Sequence, residues 1–562
     1  MSIKKAKLNH EEEHPLIIEL KKHNQEHLIP FITTDIENNP IAQQLKTFSL
    51  ESTLSYLKEA QKVKDSIPDE LIQPVSTVKL NEIDTDNYKV IGEEAIRNGE
   101  VAAVILSGGQ GTRLGHNGPK GKPNHVANHA LLHLLFYSSY HMYICVYMLI
   151  GMFVLPLPSK KTIFHLHIER ILGLRKLLSY TNSQNELIYP HIPIYIMTSN
   201  LNDTIIRNYF TENNYFNYPI EDIYFFQQGL LPCFDMNNKI MLESPTAISM
   251  APDGNGGVYE ALKSTGAYTN ILTKNIKYLH IYGIDNILVK SLDPIFIGYC
   301  VYNNIQCGNK VVKRTAKTEK VGLTVNINEH MHILEYSEIP LYLAESEDSS
   351  GNLLYTAANI CNHFLSIDFL TNYVYPNLSS IYHIAYKKIP YYDYTNNTSH
   401  TTDNTHTNTH TNTHTNNTTH TYTTIMPTSN NGIKLETFIF DVFPMAIKWV
   451  VVEVAREEEF APIKNAILHT NDYSTTDSAN TAVMLLSNLH KKWLTLAGKG
   501  GNEGDRLAEK GVSRGEVEGE DSNRKSGEDK KDGGVSEGGG EGSGVVSLYE
   551  ISPLESYWGE GL

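Results

Sequence analysis

The chain has 562 residues, of which 47 are Lys or Arg and 63 are Asp or Glu, so its formal net charge is −16. This length is enough for two or three domains. The acidic balance disfavours non-specific nucleic-acid binding, although a local cluster of cations can still bind a small anionic substrate. Its 5 cysteines show no C-x-x-C pairing, which suits a reducing cytoplasm and argues against a disulfide framework or a zinc site.

Three regions follow one another along the chain. Residues 1–95 are polar and carry charged runs, which predicts a helical N-terminal region. Residues 96–440 alternate strand-like runs such as VAAVIL, IPIYIM and YLHIYGID with helical stretches. This alternation predicts an α/β catalytic domain, with a mixed and largely parallel sheet that has helices on both faces. Residues 441–562 are predicted to form a small C-terminal region.

Two low-complexity segments interrupt this pattern. Residues 395–424 are almost entirely Thr, Asn and His, and they predict a solvated loop because they cannot bury apolar area. The histidines of this loop are a candidate metal site, although no carboxylate cluster lies near them in the sequence. Residues 498–544 are rich in Gly, Glu, Ser and Lys, and they predict a disordered linker.

A third interruption is an apolar insert at residues 124–153. No Asp, Glu, Lys or Arg occurs between Lys122 and Lys160. The insert is long enough to span a bilayer, which needs roughly 20 apolar residues. A lid insertion is a second interpretation, and translated non-coding sequence kept by an incorrect gene model is a third. We favour the third, because a spanning helix here would separate two parts of one sheet across a membrane.

The segment 106–122, LSGGQGTRLGHNGPKGK, is the most informative part of the chain. It follows a β-branched run that predicts a buried strand. Its glycines let backbone N–H groups surround a phosphate chain, and Arg113 and Lys120 add cationic donors. The pattern is neither G-x-x-x-x-G-K-[ST] nor G-x-G-x-x-G, so a P-loop NTPase and a dinucleotide-binding dehydrogenase are disfavoured.

Further motifs follow this loop in a fixed order, and together they identify a family. The chain resembles the eukaryotic UDP-N-acetylhexosamine pyrophosphorylases of the UDPGP type 1 family, also called UTP–N-acetylglucosamine-1-phosphate uridylyltransferases. The resemblance covers most of residues 15–495 and the C-terminal tail. It is carried by FFQQGLLPCF, SMAPDGNGGVYEAL, HIYGIDNILVKSLDPIFIGYC, KVVKRTAKTEKVG, LEYSEI, NICNHF, YKKIPYYD, GIKLETFIFDVF, VAREEEFAPIKNA and ISPLESYWGEGL.

The resemblance implies a Rossmann-like nucleotidyltransferase fold and a reaction. UTP and N-acetylglucosamine-1-phosphate would form UDP-N-acetylglucosamine and pyrophosphate, with Mg²⁺ or Mn²⁺ as cofactor. The alternatives are a UDP-glucose or other UDP-sugar pyrophosphorylase and a catalytically inactive homologue. The expected partners are the two substrates, with neither nucleic acid nor a membrane, and the expected location is cytoplasmic.

The resemblance also implies roles for individual residues. Arg113, Lys120 and Lys464 would be catalytic cations that neutralise the phosphates. Asp285, at the end of a predicted strand, would hold the metal, with Asp253 as the alternative ligand. The other residues of the UTP site would be Leu106, Ser107, Gly108, Gly109, Gln228 and Gly254, together with Lys120, Asp285 and Lys464.

The sugar phosphate would be bound by Asn255, Glu335, Asn359 and Lys434. Amides such as those of Gln228 and Asn255 can donate and accept hydrogen bonds at once, which suits a uracil edge or sugar hydroxyls. The family pattern has Gly-Asn where this chain has Ala358-Asn359. The extra methyl group is therefore expected to crowd the sugar pocket.

Overall fold

In the computed structural model, the described part of the chain comprises residues 13–32, 35–62, 68–109, 150–336, 338–378, 381–394, 407–412, 420–466, 473–497, 512–517 and 546–560. Two compact units are present. The first unit comprises Met1–Glu70, Gln228–Leu262 and Asn377–Val442, and the second comprises Leu71–Gln227, Lys263–Pro376 and Phe443–Leu562. The linear division predicted from the sequence cuts across both units, because tertiary contacts group segments that are distant along the chain.

The helices begin and end at the following residues. The α-helices are α1 (Pro15–Lys22), α2 (Pro40–Leu45), α3 (Leu50–Gln61), α4 (Asp86–Arg97), α5 (Ile163–Leu177), α6 (Asp203–Glu212), α7 (Val258–Ser264), α8 (Ala267–Thr273), α9 (Pro294–Tyr302), α10 (Leu341–Ala344), α11 (Ile367–Phe369), α12 (Arg456–Glu459) and α13 (Ala479–Leu496). Short 3₁₀ turns occur at Glu26–Phe31, Asp69–Leu71, Leu80–Glu82, Ile150–Met152, Asn214–Asn217, Ile220–Asp222, Asn255–Gly257 and Ile439–Met445, and a π-turn at Leu370–Val374.

The strands have these bounds: β1 (Ile72–Pro74), β2 (Val78–Lys79), β3 (Val101–Leu106), β4 (Tyr180–Thr181), β5 (Leu187–Ile188), β6 (Ile194–Thr198), β7 (Ile223–Gln227), β8 (Leu230–Pro232), β9 (Phe234–Asp235), β10 (Leu242–Ser244), β11 (Ala247–Ile248), β12 (Met250–Pro252), β13 (Tyr278–Gly283), β14 (Cys307–Lys313), β15 (Leu323–Ile327), β16 (His330–Leu334), β17 (Ala357–Ser366), β18 (His383–Lys387), β19 (Tyr391–Tyr392), β20 (Thr407–Asn412), β21 (His420–Ile425), β22 (Gly432–Glu436), β23 (Trp449–Val454), β24 (Val512–Val517) and β25 (Val546–Ile551).

The second unit is built on an 11-stranded sheet with the order β2-β23-β14-β17-β13-β3-β6-β7, and with β1, β15 and β16 off this path. Pairs β13-β3, β3-β6, β6-β7, β14-β23 and β2-β23 are parallel. Strand β17 is antiparallel to both of its main neighbours, β13 and β14. The prediction of a mixed, mostly parallel sheet is therefore confirmed. Every residue of β3 is buried, as expected for a central parallel strand covered on both faces.

The C-terminal tail also belongs to the second unit. The carboxylate of Glu550 accepts hydrogen bonds from the Ser159 N–H at 2.8 Å and from its Oγ at 2.5 Å. Further along, the Tyr557 hydroxyl donates to the carbonyl oxygen of Ser291 at 2.5 Å. The Trp558 ring lies 5.6 Å from the Arg170 guanidinium carbon. The described part of the tail is therefore held by specific contacts with the second unit.

The first unit combines the N-terminal helices with small antiparallel sheets. Strands β18, β22 and β9 form one sheet, and β8 pairs with β12. Leu28 and Leu54 from the N-terminal segment share an apolar core with Phe234 and Leu435. This packing explains why the amphipathic N-terminal helices are stable, since short helices depend on tertiary burial.

Two predictions of unstructured sequence are wrong in part. Strands β20 and β21 pair within the predicted loop 395–424, and β24, inside the predicted linker 498–544, pairs with β25. Thr is β-branched and favours strands, so the Thr-rich tract can pair through its backbone without burying apolar area. The remainder of both segments lies outside the described residues.

The apolar insert 124–153 lies almost entirely outside the described residues. Its last part is described: Gly151 packs so closely that a Cβ there would lie 2.3 Å from the Phe164 ring. Just beyond it, Leu155 and Leu157 are fully buried in the core of the second unit. None of the described helices combines the length and apolarity needed to cross a membrane.

Candidate functional site

Two parallel neighbours of the large sheet, β3 and β13, end side by side. Leu106 is paired with Gly283, and the N–H of Ile284 donates to the Leu106 carbonyl at 3.2 Å. Asp285 follows at once and is half-buried. Ligands of open α/β sheets bind beyond the carboxyl ends of parallel strands. The fold therefore brings the predicted residues Leu106, Ser107 and Asp285 to a position that suits a ligand.

The beginning of the glycine-rich loop is held by hydrogen bonds within the protein. The Ser107 N–H donates to the Met197 carbonyl at 2.9 Å, and the Ser107 carbonyl accepts from Asn202 Nδ2 at 2.9 Å. The backbone of Ser107 therefore anchors the loop, and its N–H is already used. By contrast, a Cβ at Gly109 would meet no described atom within 4 Å. None of the described residues would therefore block the approach of an anion to Gly109.

Asp285 and Lys464 are held together by a backbone ladder. The N–H of Ile463 donates to the Asp285 carbonyl at 2.9 Å. The side chain of Asn286 strengthens the ladder, since its Nδ2 donates to the Glu459 carbonyl at 2.7 Å and its Oδ1 accepts from the Ala461 N–H at 2.9 Å. Lys464 directly follows Ile463 and is half-buried, so these bonds hold its backbone close to Asp285.

Glu335 and Asn359 meet at Gly322. A Cβ on Gly322 would lie 3.0 Å from Glu335 Oε1, and the Asn359 N–H donates to the Gly322 carbonyl at 2.9 Å. The absence of a side chain at Gly322 therefore leaves room for the Glu335 carboxylate. The two predicted sugar-binding residues of the second unit are neighbours, although they are 24 positions apart in the sequence.

Cys361 joins these two groups of residues. It lies on an irregular stretch of β17, where the register with β14 shifts, and its φ is +53°. Burial raises the pKa of the Cys361 thiol to about 12, Asp285 and Glu335 act in the same direction, and Lys464 opposes them. Asp285, Glu335 and Lys464 therefore all lie within electrostatic range of this thiol. Asp285 is the residue shown next to it, because a Cβ on Gly283 would lie 2.7 Å from Asp285 Oδ1 and 3.9 Å from Cys361 Sγ. The sequence analysis did not single out this cysteine.

A buried charge cluster supports the loop that carries Asp285. The fully buried Lys310 ammonium lies 2.7 Å from Asp293 and 2.6 Å from Glu459. Burial disfavours its charge, but the attraction of the two carboxylates prevails and raises the pKa of Lys310. Asp293 also contacts Lys290 at 3.2 Å. The cluster ties the segments that contain Asp285 and Lys464 to the central strand β14.

Two more charged residues lie near Lys464, and the sequence analysis gave neither a role. The Asp477 carbonyl accepts hydrogen bonds from the Lys464 N–H at 2.8 Å and the Asn465 N–H at 2.9 Å. Burial raises the pKa of the Asp477 carboxyl, and the cations Lys464 and Arg456 oppose that shift. Arg456 belongs to the family motif VAREEEFAPIKNA, which also contains Lys464. Its place in that motif was the only sequence signal that could have marked it as a site residue.

In the first unit, the PDGNGG turn packs against the segment that follows β22. Gly254 has a φ of +95°, and a Cβ there would lie 2.3 Å from the Thr437 carbonyl oxygen. The Thr437 N–H donates to the Asp253 carbonyl at 2.7 Å, and the Asn255 Oδ1 accepts from the Ile439 N–H at 3.0 Å. Gly254 is therefore needed here because the backbone of Thr437 packs directly against it.

Gln228 and Lys434 adjoin this turn. The Asp253 N–H donates to the carbonyl of Gly229, the residue after the buried Gln228, at 3.1 Å. Burial raises the pKa of the Asp253 carboxyl to about 7, and its Oδ1 has no hydrogen-bond partner among the described residues. Lys434 lies on β22, half-buried, 3.6 Å from Glu436. The predicted residues Gln228, Gly254, Asn255 and Lys434 are thus grouped within the first unit.

One expectation about the sugar pocket is wrong. Ala358 is fully buried and packs with Val312, Ile360 and Phe460, so its methyl group belongs to a core cluster and does not crowd the pocket. Successive residues of a strand point to opposite faces, and Asn359 is accordingly half-exposed.

Some predicted residues cannot be placed. Arg113 and Lys120 lie outside the described residues, and their roles stay predictions. Among the residues that the structure does describe, no group of three or more His, Cys, Asp or Glu side chains is arranged to hold a metal ion. A single carboxylate such as Asp285 nevertheless fits Mg²⁺, which is often held by one or two carboxylates together with substrate phosphates.

Comparison with known proteins agrees with this arrangement. The family model described as UTP--glucose-1-phosphate uridylyltransferase matches residues 153–491. UDP-N-acetylhexosamine pyrophosphorylase-like protein 1 of Xenopus tropicalis is 33% identical over 532 residues, which cover 92% of this chain and 86% of that protein. UDP-N-acetylglucosamine pyrophosphorylase of Saccharomyces cerevisiae is 35% identical over 417 residues, which cover 74% of this chain and 73% of that protein.

A solved structure shows the same fold. The uridine diphosphate N-acetylglucosamine pyrophosphorylase of Trypanosoma brucei, crystallised with an inhibitor, superimposes with a TM-score of 0.64 at 26% identity and covers 88% of each chain. Because the family model spans more than half of the chain and relatives above 30% identity align over most of their length, the chain belongs to the UTP–glucose-1-phosphate uridylyltransferase (UDPGP) family.

Proposed function

We propose that this protein is a cytoplasmic UTP:N-acetylglucosamine-1-phosphate uridylyltransferase. It transfers the uridylyl group of UTP to N-acetylglucosamine-1-phosphate and releases pyrophosphate. The observation that carries the proposal is the backbone bond that sets the segment of Lys464 beside Asp285 at the end of β13. Glu335 belongs to the same surroundings, because it acts on the Cys361 thiol together with Asp285 and Lys464. A carboxylate for a cation, a carboxylate for sugar hydroxyls and an ammonium for phosphate are the groups that this reaction requires.

The proposed reaction needs no nucleophile from the protein. The sugar phosphate is already ionised, and one of its oxygens attacks the α-phosphorus of UTP while the bond to pyrophosphate breaks. The protein must bring two anions together and stabilise charge that builds up on the leaving group. Lys464 is suited to the leaving phosphates, because its backbone is pinned to Asp477 and beside Asp285.

A magnesium ion would be held by Asp285 together with phosphate oxygens. When bound, it would neutralise phosphate charge and orient the triphosphate. Glu335 and Asn359 would hydrogen-bond the sugar and its acetamido group. In the first unit, Gln228 and Gly254 would contact the uracil, and Asn255 and Lys434 would contact the sugar phosphate.

A second candidate substrate is glucose-1-phosphate. The name of the matching family model favours it, whereas the names of the relatives favour N-acetylhexosamine. A site that makes hydrogen bonds to an acetamido group would discriminate against a sugar that lacks this group, because its polar groups would stay unpaired.

The test is a pyrophosphate-release assay with UTP, Mg²⁺ and one of three sugar phosphates: N-acetylglucosamine-1-phosphate, N-acetylgalactosamine-1-phosphate or glucose-1-phosphate. We expect kcat/KM to be highest for N-acetylglucosamine-1-phosphate. Higher kcat/KM with glucose-1-phosphate would transfer the assignment to a UDP-glucose pyrophosphorylase. Absence of pyrophosphate with all three would indicate an inactive homologue. The assay is run on the full chain and on a variant without residues 124–153.

A further inference from the structure

We infer that Arg456 is a second phosphate-binding cation of the uridylyl-transfer site, acting beside Lys464 on the triphosphate and on pyrophosphate. The inference deepens the proposed function and rests on it. Neither the motif analysis nor the family resemblance assigned a role to this arginine.

The first observation is a shared aromatic ring. The Arg456 guanidinium carbon lies 5.4 Å from the centroid of the Phe460 ring, and Lys464 Nζ lies 5.7 Å from the same centroid. Phe460 is buried, so the ring is a fixed support. Both cations therefore contact the same buried ring, and a cation over a ring is held in position by its quadrupole.

The second observation is the set of charges around Asp477. The Asp477 carboxyl is influenced by Lys464, Arg456, Glu319 and Asp285 together. Arg456 is therefore in the same electrostatic cluster as the proposed metal-binding carboxylate and the proposed catalytic lysine. A guanidinium offers several N–H donors in a planar fork that matches phosphate oxygens.

The third observation is an unsatisfied donor. Arg456 donates from Nη2 to Glu319 at 2.5 Å, but its Nε is buried and has no hydrogen-bond partner among the described residues. Only about a third of the side chain is exposed. A buried N–H without a partner is costly, so the described protein satisfies this guanidinium only in part, and its exposed portion can meet a phosphate oxygen.

Glu319 has a distinct part in this arrangement. It pairs with Arg456, and it also accepts a hydrogen bond from the Thr315 N–H at 3.2 Å. Glu319 therefore orients the guanidinium but also competes with phosphate for it. Removing the Glu319 charge and removing the Arg456 charge should consequently have opposite effects on phosphate binding.

The experiment compares Arg456→Gln, Arg456→Lys and Glu319→Gln with the wild type. The matched control is Lys492→Gln. It breaks an exposed ion pair with Glu458, which lies on the same short helix as Arg456. UTP and pyrophosphate binding are measured by titration calorimetry without sugar phosphate, and the KM for each substrate is measured separately. Thermal melting reports folding of every variant.

We expect Arg456→Gln to weaken UTP and pyrophosphate binding roughly 10–100-fold, the scale of one charged hydrogen bond. The KM for the sugar phosphate should change less than about twofold on the same reasoning. Arg456→Lys should recover part of the affinity, and Glu319→Gln should bind UTP at least as tightly as the wild type. The control should bind like the wild type.

Two results would overturn the inference. One is unchanged UTP binding in Arg456→Gln. The other is an equal loss in Glu319→Gln, which would mean that the ion pair only supports the loop. Failure of the proposed function would be a different result. If the wild-type protein binds UTP through Arg456 but makes no UDP-sugar, the inference about Arg456 stands and the proposed function is wrong.

Discussion

The N–H of Ile463 donates to the carbonyl of Asp285 at 2.9 Å. This one backbone bond joins two motifs that are far apart in the sequence, the strand end that carries a candidate metal-binding carboxylate and the segment that carries Lys464. A side chain at either position can therefore act on the same ligand. Activity should depend on the lysine charge itself, because its backbone position is fixed independently of its side chain.

Lys464→Ala should lower turnover by roughly 10²–10³, the effect of removing one charge-stabilising donor. The melting temperature should stay close to that of the wild type, since the backbone bonds to Asp477 are retained. Lys120→Ala carries the same expectation for turnover. Steady-state kinetics with UTP and sugar phosphate measures the effect, with Lys492→Ala as an exposed control. Near-normal turnover in Lys464→Ala would remove this residue from the site.

Lys310→Met should destabilise the protein by about 3–5 kcal/mol, because Asp293 and Glu459 would lose the buried cation between them. Chemical denaturation at neutral pH measures the free energy of unfolding. Adding Glu459→Gln should recover part of the loss, since one fewer unpaired charge is then buried. Lys492→Met, which breaks an exposed pair, should have little effect. Equal stabilities of Lys310→Met and Lys492→Met would contradict the structural role of the cluster.

Gly254→Ala should reduce both stability and activity. Gly254 has a φ of +95°, and a Cβ there would meet the Thr437 carbonyl oxygen at 2.3 Å. The matched control is Gly351→Ala, where φ is +81° but a Cβ would meet no described atom within 4 Å. The control should lose about 1–2 kcal/mol from backbone strain alone, and Gly254→Ala should lose clearly more. Similar losses of stability in both variants would mean that the backbone around Gly254 shifts to accept the methyl group at little energetic cost.

Gly109→Ala should fold normally but bind UTP weakly. A Cβ at this position meets no described atom within 4 Å, so nothing in the described protein opposes it. The methyl group would instead occupy the space through which a phosphate approaches the loop. Calorimetric titration with UTP measures the affinity, and melting temperature measures folding. If the Gly109→Ala protein is folded and binds UTP with wild-type affinity, this loop does not contact UTP.

Stability should decrease as the pH falls from 6.5 towards 4. Burial lowers the pKa of His280 to about 4 and the pKa values of His167, His363 and His490 to about 3. Unfolding releases these imidazoles to their ordinary pKa near 6.5, so between these values the unfolded chain binds more protons than the folded protein. Stability is therefore complete above about pH 6.5 and is lost progressively below it.

Each of these histidines contributes at most roughly 1.4 kcal/mol per pH unit in that window. The melting temperature measured from pH 7 to pH 5 should show the decrease, in a range where most carboxylates remain ionised. His280→Gln should make the curve shallower. A melting temperature that is constant between pH 7 and pH 5 would show that these imidazoles are not protected from protons in the folded state.

The sequence alone determined the fold class, the family and most of the candidate residues. Apolar runs such as Val101–Leu106 predict buried strands, because only a strand covered on both faces can be continuously apolar. The ordered motifs identified the family. Asp285 is bonded to the residue before Lys464, and Glu335 and Asn359 both adjoin Gly322. Local composition was a poorer guide to the secondary structure of residues 395–424 and 498–544. Strands form there by backbone pairing, which the lack of apolar side chains does not predict.

Tertiary structure alone decided which distant residues share a neighbourhood. Lys310 pairs with Glu459, and the Ile463 N–H bonds to the Asp285 carbonyl. The same holds for Ala358, whose methyl group proved to face the core. Motif spacing carries no information on such contacts, because strand order, register and the packing of loops bring together segments that are more than 100 positions apart. Charge and burial at a site are properties of that packing.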